Sequence, residues 1–330
     1  MLSEFQTRYN SIKGKRKKLR ILTWATHEGY QSNLASTGHD FYLISGPNQK
    51  QWDFHTRSLP TNTYIIGPLE NLNIDLSFDL ILSQERFTQL PQALHISNSL
   101  KIPTVHLEHI EVNPTWTEKH LNLMKSMRAT KHVYITEHNK KSWGGLEEDT
   151  VIRHGIDTNI FKNYGSTINK GISLVNHFAS RDIFCGWNLW NEVIKEIGEI
   201  RLIGENPGIS QSINDPVLLA KTLSSHRYFL NTSQLSPIPL SLLEAAACGL
   251  PIVSTSKQEI PKIFKHGESA LLSNDPKELI QYCRDLTQDP VLARKLGDAA
   301  RQVILDNFSM DKFTQNWNKI LWEAYDEYYG

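Results

Sequence analysis

The chain has 330 residues, of which 39% are hydrophobic and 21% charged, as in an ordinary globular protein of about two domains. Its formal net charge is zero, and no apolar run approaches the roughly 18 residues that a transmembrane helix needs. The three cysteines, Cys185, Cys248 and Cys283, are few and widely spaced. They argue against a disulfide framework or a zinc site and favour a reducing cytoplasm.

Positive charge is concentrated near the start, where residues 13–20, KGKRKKLR, hold six Lys or Arg. Such a cluster can bind anionic lipid or nucleic acid, or it can be a solvated tail that leads into the first strand. We therefore expect a cytoplasmic protein, in peripheral contact with a membrane if residues 13–20 bind lipid. The near-zero overall charge argues against an extended contact with duplex nucleic acid.

Short apolar runs alternate with helical stretches in the first half of the chain. Strands are predicted at 20–24, 41–45, 63–67, 78–83, 103–108 and 132–136, and helices at 85–101 and 115–130. This alternation indicates a parallel sheet built from right-handed crossover units. The polar, glycine-bearing segment KNYGSTINKG (162–171) then interrupts the pattern and predicts a hinge.

The same pattern restarts after the hinge. Strands are predicted at 172–176, 199–204, 227–231 and 252–255, and helices at 187–198, 215–225 and 239–248, followed by helices to the end. The sequence therefore predicts two doubly wound α/β domains that face each other across a cleft. In such sheets ligands bind outside the carboxyl ends of the strands.

One carboxylate stands in the middle of an apolar helix in PLSLLEAAACGLPIVST, residues 239–255. Pro239 suits the first turn of this helix, and Gly249 supplies the left-handed position that ends it. A buried and unpaired carboxylate at Glu244 would be costly or would take up a proton, so it needs a partner. That partner is either a buried Arg or Lys or the two hydroxyl groups of a ligand diol.

Four segments, in the expected order, resemble the family 4 (group 1) glycosyltransferases with the GT-B fold. They are HEGYQSNLASTGHDFYLI (27–44), VIRHGIDTNIF (151–161), RLIGENPG (201–208) and RYFLNTSQLSPIPLSLLEAAACGLPIVST (227–255). The resemblance implies two Rossmann-like domains, an acceptor-side domain at 1–165 and a nucleotide-sugar-binding domain at 166–310. It also implies that a C-terminal helix at 311–330 returns to the first domain.

The family moves a sugar from a nucleotide-sugar donor with retention of anomeric configuration, and a UDP- or GDP-sugar is the expected donor. Glu244 occupies the position of the family's second motif glutamate, which binds the donor ribose. A carboxylate has two acceptor oxygens, which fits two neighbouring hydroxyls. The family's first glutamate falls on Ser236, which puts the identity of the donor sugar and catalysis itself in doubt. The start of the helix, at Leu240 and Ser241, is also expected to contact the donor, because free N–H groups favour an anion.

The cations with which the family neutralises the diphosphate are altered in this sequence. The usual arginine position looks like His177 and the usual lysine position like Cys185. Arg181 is the remaining cation in this loop, and we expect it to reach the diphosphate. The alternative is an exposed arginine paired with Asp182.

Three residues of the first half complete the expected site. By resemblance, His109 ends the strand in IPTVHLEHIEV (102–112), where a histidine donates to a developing charge or to a sugar hydroxyl. The alternative is a structural histidine. Gly29 lets the backbone approach donor or acceptor closely, and His154 is expected on the hinge side of the cleft.

The resemblance implies a retaining glycosyltransferase without a cofactor. No Asp-x-Asp or similar metal spacing is found in the sequence, which favours a metal-independent reaction. The acceptor is open between a glycan, a lipid-linked molecule and a nucleic-acid base. The change at Ser236 leaves a second interpretation, a degenerate nucleotide-sugar-binding protein or partner subunit without catalysis. A third keeps the fold and changes the reaction, for example to sugar-nucleotide epimerisation.

Overall fold

The computed structural model describes residues 18–68, 77–198 and 200–330. Residues 13–17, which hold most of the predicted basic cluster, lie outside the described residues. Two parallel β-sheets form the frame of the molecule. In the first, the spatial order is β3-β2-β1-β4-β5-β6-β7. Its strands are β1 (Arg20–Trp24), β2 (Asp40–Ile44), β3 (Thr63–Ile66), β4 (Leu80–Ser83), β5 (Thr104–Glu108), β6 (Lys131–Tyr134) and β7 (Thr150–Val151).

The second sheet has the order β12-β11-β10-β8-β9, and every neighbouring pair in it is parallel. Its strands are β8 (Gly171–Leu174), β9 (Arg201–Ile203), β10 (Tyr228–Asn231), β11 (Ile252–Ser254) and β12 (Leu271–Leu272). Together the two sheets confirm the predicted pair of doubly wound domains.

The helices cover the faces of the two sheets. Those before the second sheet are α1 (Glu28–Ala35), α2 (Gln89–Leu100), α3 (Glu118–Ser126) and α4 (Glu137–Trp143). Those that follow are α5 (Asp182–Cys185), α6 (Trp187–Ile197), α7 (Pro216–Ser224), α8 (Leu240–Ala247), α9 (Ile260–Ile263), α10 (Pro276–Gln288), α11 (Pro290–Asn307) and α12 (Met310–Tyr329). A single 3-10 turn at Ala179–Arg181 precedes α5. No described helix is both long and apolar enough to span a bilayer.

The central strands are buried on both faces, as is typical of parallel sheets covered by helices. Every residue of β4 and β5 is buried, including the polar ones. His106 in β5 therefore lies inside the sheet, where its Nδ1 is 3.0 Å from the Ser83 hydroxyl. His106 therefore does not reach the cleft. The next histidine, His109, lies just past the end of β5 and borders the cleft.

Several short elements were not predicted from the sequence, among them the four-residue helix α5. The strands β7 and β12 have two residues each, too few to show a periodic pattern. Helix α4 has the sequence EHNKKSW and buries only Asn139 and Trp143, so it carries no apolar stripe. The other predicted strands and helices are present, with ends that differ by a few residues.

The last helix, α12, packs on the first sheet rather than on the second. The indole Nε1 of Trp317 donates a hydrogen bond of 3.0 Å to the Tyr30 hydroxyl on α1. The buried face of α12 consists of Phe313, Trp317, Ile320, Leu321, Ala324 and Tyr325. These contacts are those expected of a returning helix, whereas the exact domain boundaries at 165 and 310 stay predictions.

Both sheets reverse strand order beside their first strand. In the first sheet the reversal lies between β1 and β4, and in the second it lies between β8 and β10. Loops that leave two adjacent strands in opposite directions open a crevice at the carboxyl ends. The two crevices therefore predict where a ligand cleft lies in each half.

Candidate functional site

A cavity of about 370 Å³ lies between the two halves, lined by residues that follow β1, β5 and β6 on one side and β8 and β10 on the other. Eight of its lining residues are the site residues predicted from the sequence: Gly29, His109, His154, Arg181, Ser236, Leu240, Ser241 and Glu244. The structure thus brings all eight predicted positions to one cavity. Their individual roles stay predictions.

Glu244 lies in the middle of α8, and its carboxylate is buried, with 6% of the side chain exposed. Its Oε1 accepts a hydrogen bond of 2.8 Å from Nη2 of Arg57. Burial raises the pKa of Glu244, and the charge and hydrogen bond of Arg57 act in the opposite direction. The carboxylate therefore has a cationic partner and also borders the cavity.

Arg57 belongs to the β2–β3 loop, residues 45–62, so this ion pair joins the first half of the chain to the second. The backbone of the loop is fixed, because the buried Trp52 donates its indole N–H to the Arg57 carbonyl at 2.8 Å. A second contact to the other half comes from Asn214, whose amide donates to the Phe54 carbonyl at 3.2 Å. Arg57 was not predicted from the sequence, since nothing local in the loop marks it.

The start of α8 is suited to an anion. Pro239 stands at the N-cap position, and no side chain of the described residues caps the helix there. The first turn of α8, including Leu240 and Ser241, borders the cavity. Backbone N–H groups and the positive end of the helix dipole therefore point to this part of the cavity.

Arg181 ends the 3-10 turn before α5 and is exposed at the cavity. Its Nη1 lies 3.4 Å from the Asn176 carbonyl. The carboxylate of Asp182 is engaged elsewhere, since it accepts bonds of 2.8 and 2.6 Å from the backbone and side chain of Asn188. The described contacts therefore leave the alternative of an Arg181–Asp182 pair without support.

The two positions where the family carries cations supply no firm positive charge here. Cys185 borders the cavity, and burial raises the pKa of its thiol, so the side chain is neutral. His177 is exposed with a φ of 52° and does not border the cavity. Its backbone N–H donates to the Glu205 carbonyl at 2.8 Å.

His109 is held by a chain of side-chain amides. Its Nε2 is 3.2 Å from Oε1 of Gln84, whose Nε2 donates to Oε1 of Gln31 at 2.8 Å. Burial lowers the pKa of His109 well below its usual value, and the neighbouring histidines lower it further. A neutral imidazole whose Nε2 donates to Gln84 is left with an acceptor at Nδ1, which differs from the donor role expected from the sequence.

Two further histidines border the same side of the cavity. His154 is 3.3 Å from the Ile238 carbonyl through Nε2, and burial lowers its pKa to about 4. His27 caps α1, accepting from the Tyr30 N–H at Nδ1, and its ring stacks on His109 with centroids 5.7 Å apart. The enclosed cleft and nearby Lys50 hold the pKa of His27 below its usual value. Three neutral imidazoles therefore line the first-half side of the cavity, which also holds Arg57.

His27 was not predicted as a site residue, although the sequence contains a signal for it. It follows the predicted strand 20–24 by three residues, at the edge of the sheet where ligands bind. Gly29 is explained by packing: a Cβ there would lie 3.2 Å from Cδ2 of Leu240. A glycine at this point lets α1 approach the start of α8 across the cleft.

Comparisons with known proteins agree with this architecture. Residues 189–319 match the model of a family described as glycosyl transferase-like. Over 108 residues the chain is 28% identical to N-acetyl-alpha-D-glucosaminyl L-malate synthase of Bacillus anthracis. This match covers 32% of this chain and only 28% of the synthase. It is 26% identical over 284 residues to an uncharacterized glycosyltransferase of Haemophilus influenzae, covering 78% of this chain and 80% of that protein.

A similar solved structure is that of Anabaena Alr3699/HepE in complex with UDP-glucose, with a TM-score of 0.71 and 13% identity. The similarity covers 92% of this chain and 100% of that chain. At this level of identity the likeness concerns the fold, which is GT-B, as the resemblance of the sequence implied.

Proposed function

We propose that this chain, which has the GT-B fold, is a nucleotide-sugar-dependent glycosyltransferase that takes a UDP-sugar as donor and binds its ribose through Glu244. The observation that carries the proposal is a buried carboxylate that borders the cavity one turn inside α8. Such a group presents two acceptor oxygens to two neighbouring hydroxyls. The uridine base is supported by the similar structure, which holds UDP-glucose.

In the proposed complex the diphosphate lies at the start of α8, near Ser241. The helix N–H groups and Arg181 stabilise the negative charge that develops on the leaving phosphate. These groups are fixed before the donor arrives, so they need little rearrangement during the reaction. Closure of the two halves about residues 162–171 excludes water from the transfer.

The sugar is transferred with retention of configuration and without a metal ion in this proposal. Among the described residues that line the cavity, Glu244 is the single carboxylate, and it is assigned to the ribose. No second carboxylate is then at hand for a covalent intermediate, which favours attack on the same face, assisted by the leaving phosphate. His109 accepts a hydrogen bond from a hydroxyl of the sugar or of the acceptor through Nδ1.

A binding titration tests the donor site. UDP, GDP, ADP and CMP are titrated into the wild-type protein and into Glu244→Gln. We expect UDP to bind and the variant to lose about 1.5–3 kcal/mol of binding free energy, roughly tenfold or more in Kd. Glu278→Gln is the matched control, because Glu278 lies on α10, bonded to Ser273, and does not border the cavity.

Two results would change the proposal. If GDP binds in place of UDP, the ribose site stands and the base is corrected. If none of the four binds, the changes at Ser236 and Cys185 have disabled the donor site, and the interpretation as a non-catalytic partner subunit replaces this one. With a sugar acceptor in hand, NMR of the anomeric centre of the product checks retention.

A further inference from the structure

Arg57 is a cation that borders the cavity and has no role in the proposed function. It comes from the first half of the chain, its side chain is 12% exposed, and it ends on the carboxylate assigned to the donor ribose. In the proposed complex the two ribose hydroxyls take both carboxylate oxygens, so the guanidinium leaves Oε1 of Glu244. The released cation then needs a new partner, because an arginine is charged at every relevant pH.

The start of α8 lies within reach of that cation. Ser241 precedes Glu244 by three residues, which corresponds to about 4.5 Å along a helix axis. A diphosphate at the start of α8 is therefore about one helical turn from the present position of the guanidinium. Trp52 holds the Arg57 carbonyl, so we expect the side chain to turn while the backbone of the loop stays in place.

The charge of the site also calls for a second cation. A diphosphate carries at least two negative charges, and Arg181 is the one firm cation from the second half among the described residues of the cavity. Cys185 is neutral, and His177 is outside the cavity. Arg57 and Arg181 both border the cavity, one from each half of the chain.

We propose that Arg57 is a diphosphate-binding residue that pairs with Glu244 before the donor binds and moves to the diphosphate when the donor ribose takes its place. Until then it neutralises the buried carboxylate and keeps it ionised for the ribose. In the loaded state it supplies, from the opposite domain, a positive charge for the phosphates beside Arg181. This inference rests on the proposed function and adds a binding residue to the same site.

The test compares UDP with uridine, which has the ribose and no phosphate, at pH 8. In Arg57→Gln we expect the affinity for UDP to fall by between about tenfold and a hundredfold, as for the loss of a charged hydrogen bond. The affinity for uridine should stay the same or rise, because the competitor for Glu244 is gone. Lys50→Gln is the control: Lys50 lies in the same loop, pairs with Glu28 at 2.8 Å and does not border the cavity.

Equal changes for UDP and uridine in Arg57→Gln overturn the inference and leave the proposed function standing. A higher affinity for both ligands in Arg57→Gln also overturns the inference, since Arg57 would then only compete with the ligand for Glu244. Failure of the wild type to bind UDP or GDP is a failure of the proposed function itself. If Arg57→Gln does not fold, Arg57→Lys decides by the same comparison, because its shorter and non-planar cation should weaken UDP more than uridine.

Discussion

The Glu244 carboxylate is buried at the border of the cavity, and its protonation should make nucleoside binding depend on pH. Burial raises the pKa of Glu244 above its ordinary value. Ribose hydroxyls need the ionised form, so affinity is full above that pKa and is lost as pH falls through it. Uridine affinity should therefore decrease from pH 8 to pH 5 in calorimetric titrations. Uridine is the useful probe, since it has no phosphate that titrates in this window.

The same titrations with Glu244→Gln should show a weaker affinity that hardly changes with pH. The neighbouring histidines do not imitate the effect, because the pKa values of His109 and His154 are lowered, the latter to about 4. An equal slope in the wild type and in the variant would assign the titration to another group.

Single residues differ in how far the sequence could predict them. Glu244 was identified because its evidence is local: a charged residue within an apolar helix between Pro239 and Gly249. Its partner Arg57 is 187 residues away along the chain, in a loop without periodicity. Such a pair depends on how the two halves meet, which no local pattern contains.

Among the elements, α8 and α11 meet through two glycines. This contact decides whether an alanine in α11 stabilises or destabilises the protein. A Cβ at Gly297, inside α11, would lie 2.1 Å from the carbonyl oxygen of Gly249 at the end of α8. Alanine normally stabilises a helix by about 1 kcal/mol relative to glycine. We expect Gly297→Ala to reverse that effect and to lower the free energy of unfolding by about 1–3 kcal/mol.

Urea unfolding measures the change, with Asp298→Ala as its control. Asp298 is the next residue of α11 and is exposed, so its replacement should stay within about 0.5 kcal/mol of the wild type. A Gly297→Ala protein as stable as the control would mean that α11 can move away from α8 at little cost.

Elements with a long apolar pattern were predicted well, and short or polar ones were not. The buried strands β4 and β5 and the helices α8 and α12 each carry a clear signal. The two-residue strands β7 and β12 exist because a neighbouring strand offers them hydrogen bonds. Pairing of that kind is a property of the assembled sheet and is invisible in the segment itself.

At the scale of the whole molecule, buried histidines make the fold sensitive to acid. His39, His106, His132 and His154 are all at most 4% exposed, and burial lowers the pKa of each. The unfolded chain takes up protons at these sites below about pH 6.5, whereas the folded chain does not. The free energy of unfolding should therefore fall as pH decreases from 6.5, by up to about 1.4 kcal/mol per pH unit for each histidine.

His39→Asn isolates one of these contributions. The pKa of His39 is lowered to about 4, and its Nδ1 accepts a hydrogen bond of 3.0 Å from the Leu19 N–H, which an asparagine oxygen can also accept. The variant should lose less stability between pH 6 and pH 4.5 in urea unfolding than the wild type does. His95→Asn, at an exposed site, should leave the dependence unchanged. Parallel curves for all three proteins would contradict the assignment.

The contact between Trp317 and Tyr30 spans 287 residues of chain, and it has a consequence for the order of events during synthesis. A ribosome completes the second sheet before it adds α12, so the first sheet emerges with the Tyr30 face uncovered and waits for the last residues to be made. A premature stop after residue 309 would spare every residue that borders the cavity. It would nevertheless uncover Tyr30, whose ring contacts His109 and His154. These two histidines would then lose the packing that supports them in the cleft.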